Sequence, residues 1–416
     1  MPPHRLRPRA FAGLLSFTAV LAPLCSVAHA EPAPPFAALL AQARVNSPRF
    51  AEAEADVAQA QGLARQAAAR PNPVLSLDVE NLSNVGSPNG LDARQSTASI
   101  EQTLELGGKR SARVAAGRAG VLAAQARGEL TRAEFAAQLA VAYAEAEAAA
   151  AKFVQAEETL AAADTDARVA RSLVNAGREA ELRALQASAE RDATRADRDE
   201  AGAARDTAFA KLSALVGSTV VFDSTAESLL GRTPAIPALG EAITPAIAAA
   251  RAARDAAAAR VRVETRQAVP DLTVSAGVRR LQGDDATAVV AGVSVPLPLF
   301  NRNRGATDAA RAELAANEAR LRQAEFDASA DLRAAQSQAR NAATRAEAAA
   351  TGEAAAAEGY RLARLGYEAG RLPLLELSSA RRALAAARVR TLDARLARVR
   401  AEAEIARLTG RTPFGA

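Results

Sequence analysis

The chain repeats itself once, and this limits its fold more than any other feature. Two Pro-opened helical stretches, Pro48 to Arg70 and Pro245 to Gln267, begin 197 residues apart, and Pro73 and Pro270, which open strand-like runs, are also 197 apart. Farther on, Ala176-Gly177-Arg178 and Ala369-Gly370-Arg371 are 193 apart, as are Leu215-Val216-Gly217 and Leu408-Thr409-Gly410. A register kept over roughly 170 residues is an internal duplication of one supersecondary plan. It divides the chain into a first repeat, 31–217, a linker, 218–240, a second repeat, 241–410, and a tail, 411–416.

Each repeat carries a strand pair, at 73–106 and 270–298. Leu75, Leu77 and Val79 alternate with Ser76, Asp78 and Glu80, the period of a strand. Ser83 to Arg94 reads as a loop dense in Gly, Pro and Asn. In the next strand Ala98, Ile100, Leu104 and Leu106 share one face, while Thr97, Ser99, Glu101, Thr103 and Glu105 share the other. In the second repeat Leu272, Val274, Ala276 and Val278 oppose Thr273, Ser275, Gly277 and Arg279, Leu281 to Ala286 turns the chain, and Val289, Ala291, Val293, Val295 and Leu297 follow on one face. One apolar and one polar face suit a wall between lipid and water. Asp78, Glu80, Glu101 and Glu105 are then candidates for the lining of a barrel lumen.

Each strand pair leads into a long helical hairpin, at 111–217 and 306–410. These stretches are mostly Ala, Arg and Glu, strong helix formers with almost no Pro. The first rising arm, Ser111 to Val174, would span about 95 Å at the α-helical rise. Leu139, Ala146, Phe153, Leu160, Ala167 and Val174 recur every seven residues, a coiled-coil seam. The hairpins turn at Asn175 to Arg178 and at Ala369 to Arg371. Ahead of all this, Glu31 to Pro35 reads as a Pro-rich arm and Phe36 to Arg44 as a helix. The linker holds three β-friendly residues, Val220, Val221 and Phe222.

The first thirty residues read as a secretory signal, with Arg5, Arg7 and Arg9 before an apolar core, Phe11 to Leu24, and Ala28-His29-Ala30 as the cleavage site. Cleavage after Ala30 leaves Glu31 first; Leu24 and Pro23 before Cys25 argue against lipidation. Removal takes three of the 52 basic residues and none of the 47 acidic ones, leaving a net charge near +2 and no signal for a nucleic-acid partner. It also takes Met1, His4, Cys25 and His29, every Met, Cys and His in the chain. Disulfides, soft-metal sites and His-based acid–base chemistry are thereby excluded from the mature protein, and no loop carries a calcium-binding pattern. No cofactor is expected. The polar residues are spread along rods, with no cluster around a nucleophile or base, so the chain does not read as an enzyme.

Four strands per chain cannot close a membrane barrel, since the smallest have about eight. An open sheet in lipid would leave edge N–H and C=O groups unpaired, each costing several kcal/mol. The chain is therefore expected to close its barrel as an oligomer.

These residues carry a family resemblance. The duplicated strand pairs, the Ala-rich hairpins, PNPVLSLDVEN, EQTLELGGKR, VPLPLFNRNRG and the Tyr-x-x-Gly-Arg tip at Tyr367 to Arg371 resemble the TolC-like outer-membrane factors, over essentially the whole mature chain. PLPLFNRNRG, with GGKR at the matching place, is most similar to the heavy-metal, CzcC-type branch. The resemblance implies a mainly α fold with a small β part: a homotrimer with a twelve-stranded barrel in outer-membrane lipid and a twelve-helix periplasmic tube. It also implies a passive exit duct for metal cations, a periplasmic adaptor, and an inner-membrane pump of the resistance-nodulation-division class. Gly177 and Gly370 match the tip glycine where the adaptor docks, with Arg178, Arg371 and Leu372 beside them. Counting from the tip places the family's gate acid at Glu376, and its counterpart in the first repeat is Arg183, a candidate partner across helices. A ring of three such carboxylates would favour cations.

Two departures stand out. The strands hold no Trp or Tyr for an aromatic girdle, and Phe300 alone sits near a strand end. The first tip lacks the tyrosine of the second. Other readings of the residues are a duct for drugs or secreted protein and, in a different class, a coiled-coil surface fibre. The fibre explains the helices but not the duplicated strand pairs.

Overall fold

A computed structural model describes residues 31–82, 94–233 and 244–415. The signal segment, nearly all of the Ser83 to Arg94 loop and part of the linker lie outside the described residues.

The element order repeats as the sequence does. A short strand β1 (Glu31–Ala33) and helix α1 (Phe36–Asn46) come first. The first unit is α2 (Pro48–Ala68), β2 (Val74–Glu80), β3 (Gln95–Leu104), α3 (Lys109–Asn175) and α4 (Glu181–Val216). After β4 (Phe222–Thr225), the second is α5 (Pro245–Gln267), β5 (Leu272–Leu281), β6 (Ala286–Ser294), α6 (Arg304–Glu368) and α7 (Leu374–Thr409). A 3-10 turn, Pro413–Gly415, follows α7. Among the described residues, no helix is long and apolar enough to cross a membrane.

The helix ends follow local chemistry. Pro48 and Pro245 open α2 and α5 from positions whose N–H would be unpaired anyway. The Thr244 hydroxyl caps α5 by accepting from the Ile247 N–H at 3.2 Å. Gly217 and Gly410 end α4 and α7 in the left-handed region.

Two local expectations differ from the structure. The Pro-rich arm is β1, a strand parallel to β4. Pro32 offers no N–H but is tolerated on so short an edge strand. The heptad seam of α3 is also incomplete. Leu139, Ala146 and Phe153 are buried, but Leu160, Ala167 and Val174 are half-buried, and Ala163 and Ala170 take the buried positions toward the tip. A straight helix drifts ~20° per heptad against a seven-residue repeat, so a strict seam rotates out of contact after a few turns.

The main core lies at the middle of α3, midway between sheet and tips. Phe36, Leu39, Phe135, Leu139, Tyr143, Phe209, Leu212 and Leu229 form its centre. The Tyr143 hydroxyl donates to the Glu227 carbonyl and lies 3.1 Å from the Glu227 N–H, which donates to it. The Glu147 carboxylate accepts from the Leu229 N–H at 2.9 Å, the Leu230 N–H at 3.2 Å and the Ser228 hydroxyl. The linker is thus fastened across α3 by polar groups that burial would otherwise penalise.

The four long strands form one antiparallel sheet in the order β2-β3-β5-β6. The register makes cross-sheet rows. Leu75, Ile100, Ala276 and Ala291 share one row, and Leu77, Ala98, Val278 and Val289 the next row on that face. Asp78, Thr97, Arg279 and Ala288 lie on the opposite face, with Glu101 opposite Val74 and Ser275. Both edges, β2 and β6, are unpaired among the described residues.

Candidate functional site

Three places along the rod hold the residues singled out above: the polar face of the sheet, the junction beneath it, and the two helical tips.

On the sheet, Asp78, Glu80 and Glu101 share the polar face, as the alternation requires. Arg279 is the cation of this face. Its Nε donates to Thr97 Oγ1 at 3.0 Å and its Nη1 to Gln95 Oε1 at 3.4 Å. Asp78 lies on the other side of Thr97 in the same row. Arg279 was legible on the polar face, but its coupling to this row needed the register between repeats.

Glu105 lies one residue beyond β3, in the junction below the sheet. It forms an ion pair with Arg113 that includes a 3.0 Å hydrogen bond from Nη2, and its side chain is only 12% exposed. Arg113 also reaches the Ala69 carbonyl. Beside it Lys109 pairs with Asp271 at 2.8 Å, with the lysine side chain 7% exposed. These pairs join α3 to the start of β5 and the end of α2. In the second repeat Asn303, at φ 54°, takes the same role, donating from Nδ2 to the Glu264 carbonyl and carboxylate at 2.9 Å each.

The hydrogen bond from Arg113 holds the Glu105 carboxyl below its ordinary pKa. Its stabilising effect is therefore complete above the unfolded value, about 4.3, and disappears as pH falls through the lower folded value. Glu105→Gln is expected to cost about 1.5–3 kcal/mol at neutral pH, the worth of a hydrogen bond to a charged group. Thermal melts of both proteins from pH 7 downward should show the gap in Tm closing below the unfolded carboxyl pKa. A gap that stays constant with pH would refute the pairing.

At the tips, Gly177 and Gly370 have φ of 69° and 67°, where a side chain is strained. Both helices end in the same paired-bond motif. Gly177 N–H donates to Val174 and Arg178 N–H to Leu173, each at 2.9 Å; Gly370 N–H donates to Tyr367 at 2.9 Å and Arg371 N–H to Gly366 at 2.8 Å. Nothing lies within 4 Å of where a Cβ would stand on either tip glycine. Arg178 and Arg371 are exposed, and neither side chain has an ion-pair partner among the described residues.

The tips differ in one respect. Leu372 folds over Gly366, whose added Cβ would lie 2.6 Å from Leu372 Cδ1. The first tip has Leu173 and Glu179 at these places.

Glu376 is exposed in the first turn of α7, where the helix dipole favours an acid. The structure does not pair it with Arg183. That arginine lies 3.9 Å from Glu179 within its own hairpin, a partner four residues away that requires no second helix to approach. Cross-hairpin pairing occurs higher up. Asp166 pairs with Arg381, Glu158 with Arg388 at 2.8 Å, Lys152 with Asp393 at 2.6 Å and Glu145 with Arg400 at 2.6 Å. These tie α3 to α7 along much of their shared length. The sequence shows the opposite charges at intervals of five to eight residues, but not which helices they join. Gln155 adds an uncharged link, donating to the Ala385 carbonyl at 2.5 Å.

Among the described residues no three His, Cys, Asp or Glu side chains are close enough to hold a metal ion. The arrangement offers a polar sheet face, an ion-paired junction and exposed tips.

Known proteins share this plan. The nickel-cobalt-cadmium resistance protein NccC of Alcaligenes xylosoxydans xylosoxydans is 44% identical over 388 residues, 93% of this chain and 89% of that protein. The nickel and cobalt resistance protein CnrC of Cupriavidus metallidurans is 43% identical over 315 residues, 75% of each. Among solved structures, the outer membrane protein VceC of Vibrio cholerae superposes with a TM-score of 0.71 at 21% identity, covering 91% of this chain and 96% of that one, a likeness of fold. The model of one family, the outer membrane efflux proteins, matches residues 39–218 and 241–411, and with relatives of this identity and coverage the chain belongs to that family.

Proposed function

We propose that this protein is the passive outer-membrane exit duct of a tripartite efflux system that expels heavy-metal cations. One observation carries the cargo: over 93% of its length the chain is 44% identical to a protein named for nickel, cobalt and cadmium resistance. The duct is supported by the geometry. A four-stranded sheet with two unpaired edges needs other copies to close it in lipid, and three copies give twelve strands. Helices of 67 and 65 residues carry the conduit about 100 Å into the periplasm.

In this reading cleavage follows Ala30, and the polar sheet face with Asp78, Glu80 and Glu101 lines the lumen. Glu105 lies at the lumen's inner end, with its charge already matched by Arg113. Gly177, Arg178, Gly370, Arg371 and Leu372 dock a periplasmic adaptor, and a pump of the resistance-nodulation-division class supplies the energy. Glu376 from three copies forms a carboxylate ring at the tip that favours cations, with Arg183 as its counterpart in the first repeat. A duct free of His, Cys and Met in its mature chain gives a soft cation no side chain to lodge on.

Growth of a deletion strain on Zn, Co, Cd, Ni, Cu and Ag salts, beside dyes, detergents and antibiotics, tests the cargo. Sensitivity confined to a group of cations, reversed by the intact gene, is the expected result. Sensitivity to organic compounds alone would keep the duct and refute the metal cargo.

A further inference from the structure

The two junctions between sheet and tube differ in length. Residues 105–108 separate β3 from α3, whereas 295–303 separate β6 from α6. The longer connection holds the most exposed apolar cluster of its repeat. Leu297 is 75% exposed, Leu299 65% and Phe300 fully exposed. It continues the outward apolar row of β6, where Val289 is 85% and Val293 71% exposed. Past the cluster come Arg302 and Arg304, both exposed.

Part of the backbone of this stretch is suited to a nonpolar surrounding. Pro296 and Pro298 have no N–H to leave unpaired. The Leu299 N–H is satisfied locally by the Leu297 carbonyl at 2.8 Å, and the Pro298 carbonyl accepts from Arg302 Nε at 3.1 Å. Irregular backbone at membrane depth is tolerated only where such groups are dealt with. The segment is also fixed rather than loose at its far end, because Asn303 binds the Glu264 carbonyl and carboxylate on α5.

We propose that Leu297, Leu299 and Phe300 form a wedge that enters the inner leaflet of the outer membrane, with Arg302 and Arg304 at the level of the lipid phosphates. The proposal rests on the outer-membrane placement given above. Three arguments favour lipid over a protein as the occupant. The cluster is continuous with the lipid-facing row of β6. Its flanking cations complement anionic headgroups. The membrane strands themselves carry no Trp or Tyr, so this one phenylalanine per chain supplies the interfacial aromatic that barrels otherwise draw from girdles. A trimer would carry a ring of three wedges. The corresponding junction of the first repeat offers only Leu106 and is closed by ion pairs.

The sequence contains no tryptophan, so a single replacement gives an unambiguous reporter. Phe300→Trp, Val289→Trp and Phe326→Trp would each be placed in phosphatidylethanolamine–phosphatidylglycerol vesicles, with and without brominated acyl chains. Phe326 is exposed on α6, well away from the sheet. The Phe300→Trp emission is expected to be blue-shifted and quenched about twofold or more by bromine, as an interfacial indole would be. Val289→Trp should be quenched and Phe326→Trp unquenched. An unquenched Phe300→Trp beside a quenched Val289→Trp overturns the wedge and leaves the barrel standing. A blue-shifted Phe300→Trp that ignores bromine also overturns it, because protein then covers the site. Loss of quenching at both Phe300 and Val289 overturns the membrane placement itself.

Discussion

Gly370→Pro should reduce metal resistance to the level of a deletion strain while leaving a folded trimer in the outer membrane. The tip backbone at this residue has φ of 67°, and proline is fixed near −65°. Proline also removes the N–H that donates to the Tyr367 carbonyl at 2.9 Å. The two bonds to the Gly366 carbonyl, from Arg371 at 2.8 Å and Leu372 at 3.1 Å, depend on the same turn and should be lost with it. The combined strain and lost bonds amount to roughly 3–5 kcal/mol of local destabilisation.

That energy is confined to a tip with few buried neighbours, and the main core lies about half a helix away. Gly370→Ala keeps the N–H and meets no neighbour within 4 Å, so it should cost about 1–2 kcal/mol and lose resistance only in part. Cobalt, nickel and cadmium growth assays read the function, and heat-modifiable migration on gels reads the trimer. Full resistance in Gly370→Pro would show that the tip is not where the partner engages.

Arg398→Ala is expected to destabilise the shaft by about 3–5 kcal/mol. The side chain is only 7% exposed and gathers linker residues 229–232 onto α7. Its guanidinium donates to the carbonyls of Arg232 at 2.6 Å, Leu230 at 3.0 Å and Leu229 at 3.4 Å, and its Nε lies 3.8 Å from the buried Glu402 carboxylate. Truncation removes a donor from each of three carbonyls and takes a nearby cation away from the buried Glu402 carboxylate. Arg398→Met together with Glu402→Leu removes both charges and should recover part of the loss. The thermal midpoint of the purified trimer, at fixed scan rate and detergent, measures both. A loss under 1 kcal/mol in the single variant would mean that water replaces the guanidinium.

By contrast, the pairs along α3 and α7 are mostly exposed, and each is worth about 0–1 kcal/mol. Their role is to set which faces of the two helices meet, more than how firmly.

The sequence by itself determined the long helices, the four long strands and their order. Pro48, Pro245, Gly217 and Gly410 mark helix ends through forces that act within a few residues, and strand alternation assigned Leu75, Ile100, Val278 and Val289 to one face because side-chain direction in a strand depends only on parity. The duplication doubled each signal. For the same reason Asp78, Glu80, Glu101 and the tip glycines were legible, since each is defined by local period or local turn geometry.

Tertiary structure decided what depends on distance in space. The buried line of α3 moved from Leu160 and Ala167 to Ala163 and Ala170 because the pitch of the helix, not the heptad, sets which residues face α4 and α7. Glu31–Ala33 became a strand only because Phe222–Thr225, about 190 residues later, runs alongside it. Glu105 turned to Arg113, and Arg398 to the carbonyls of the linker, because a charge takes the partner that folding brings nearest. That choice rests on Coulomb and desolvation energies falling off over a few ångströms, a scale on which separation along the chain carries no information.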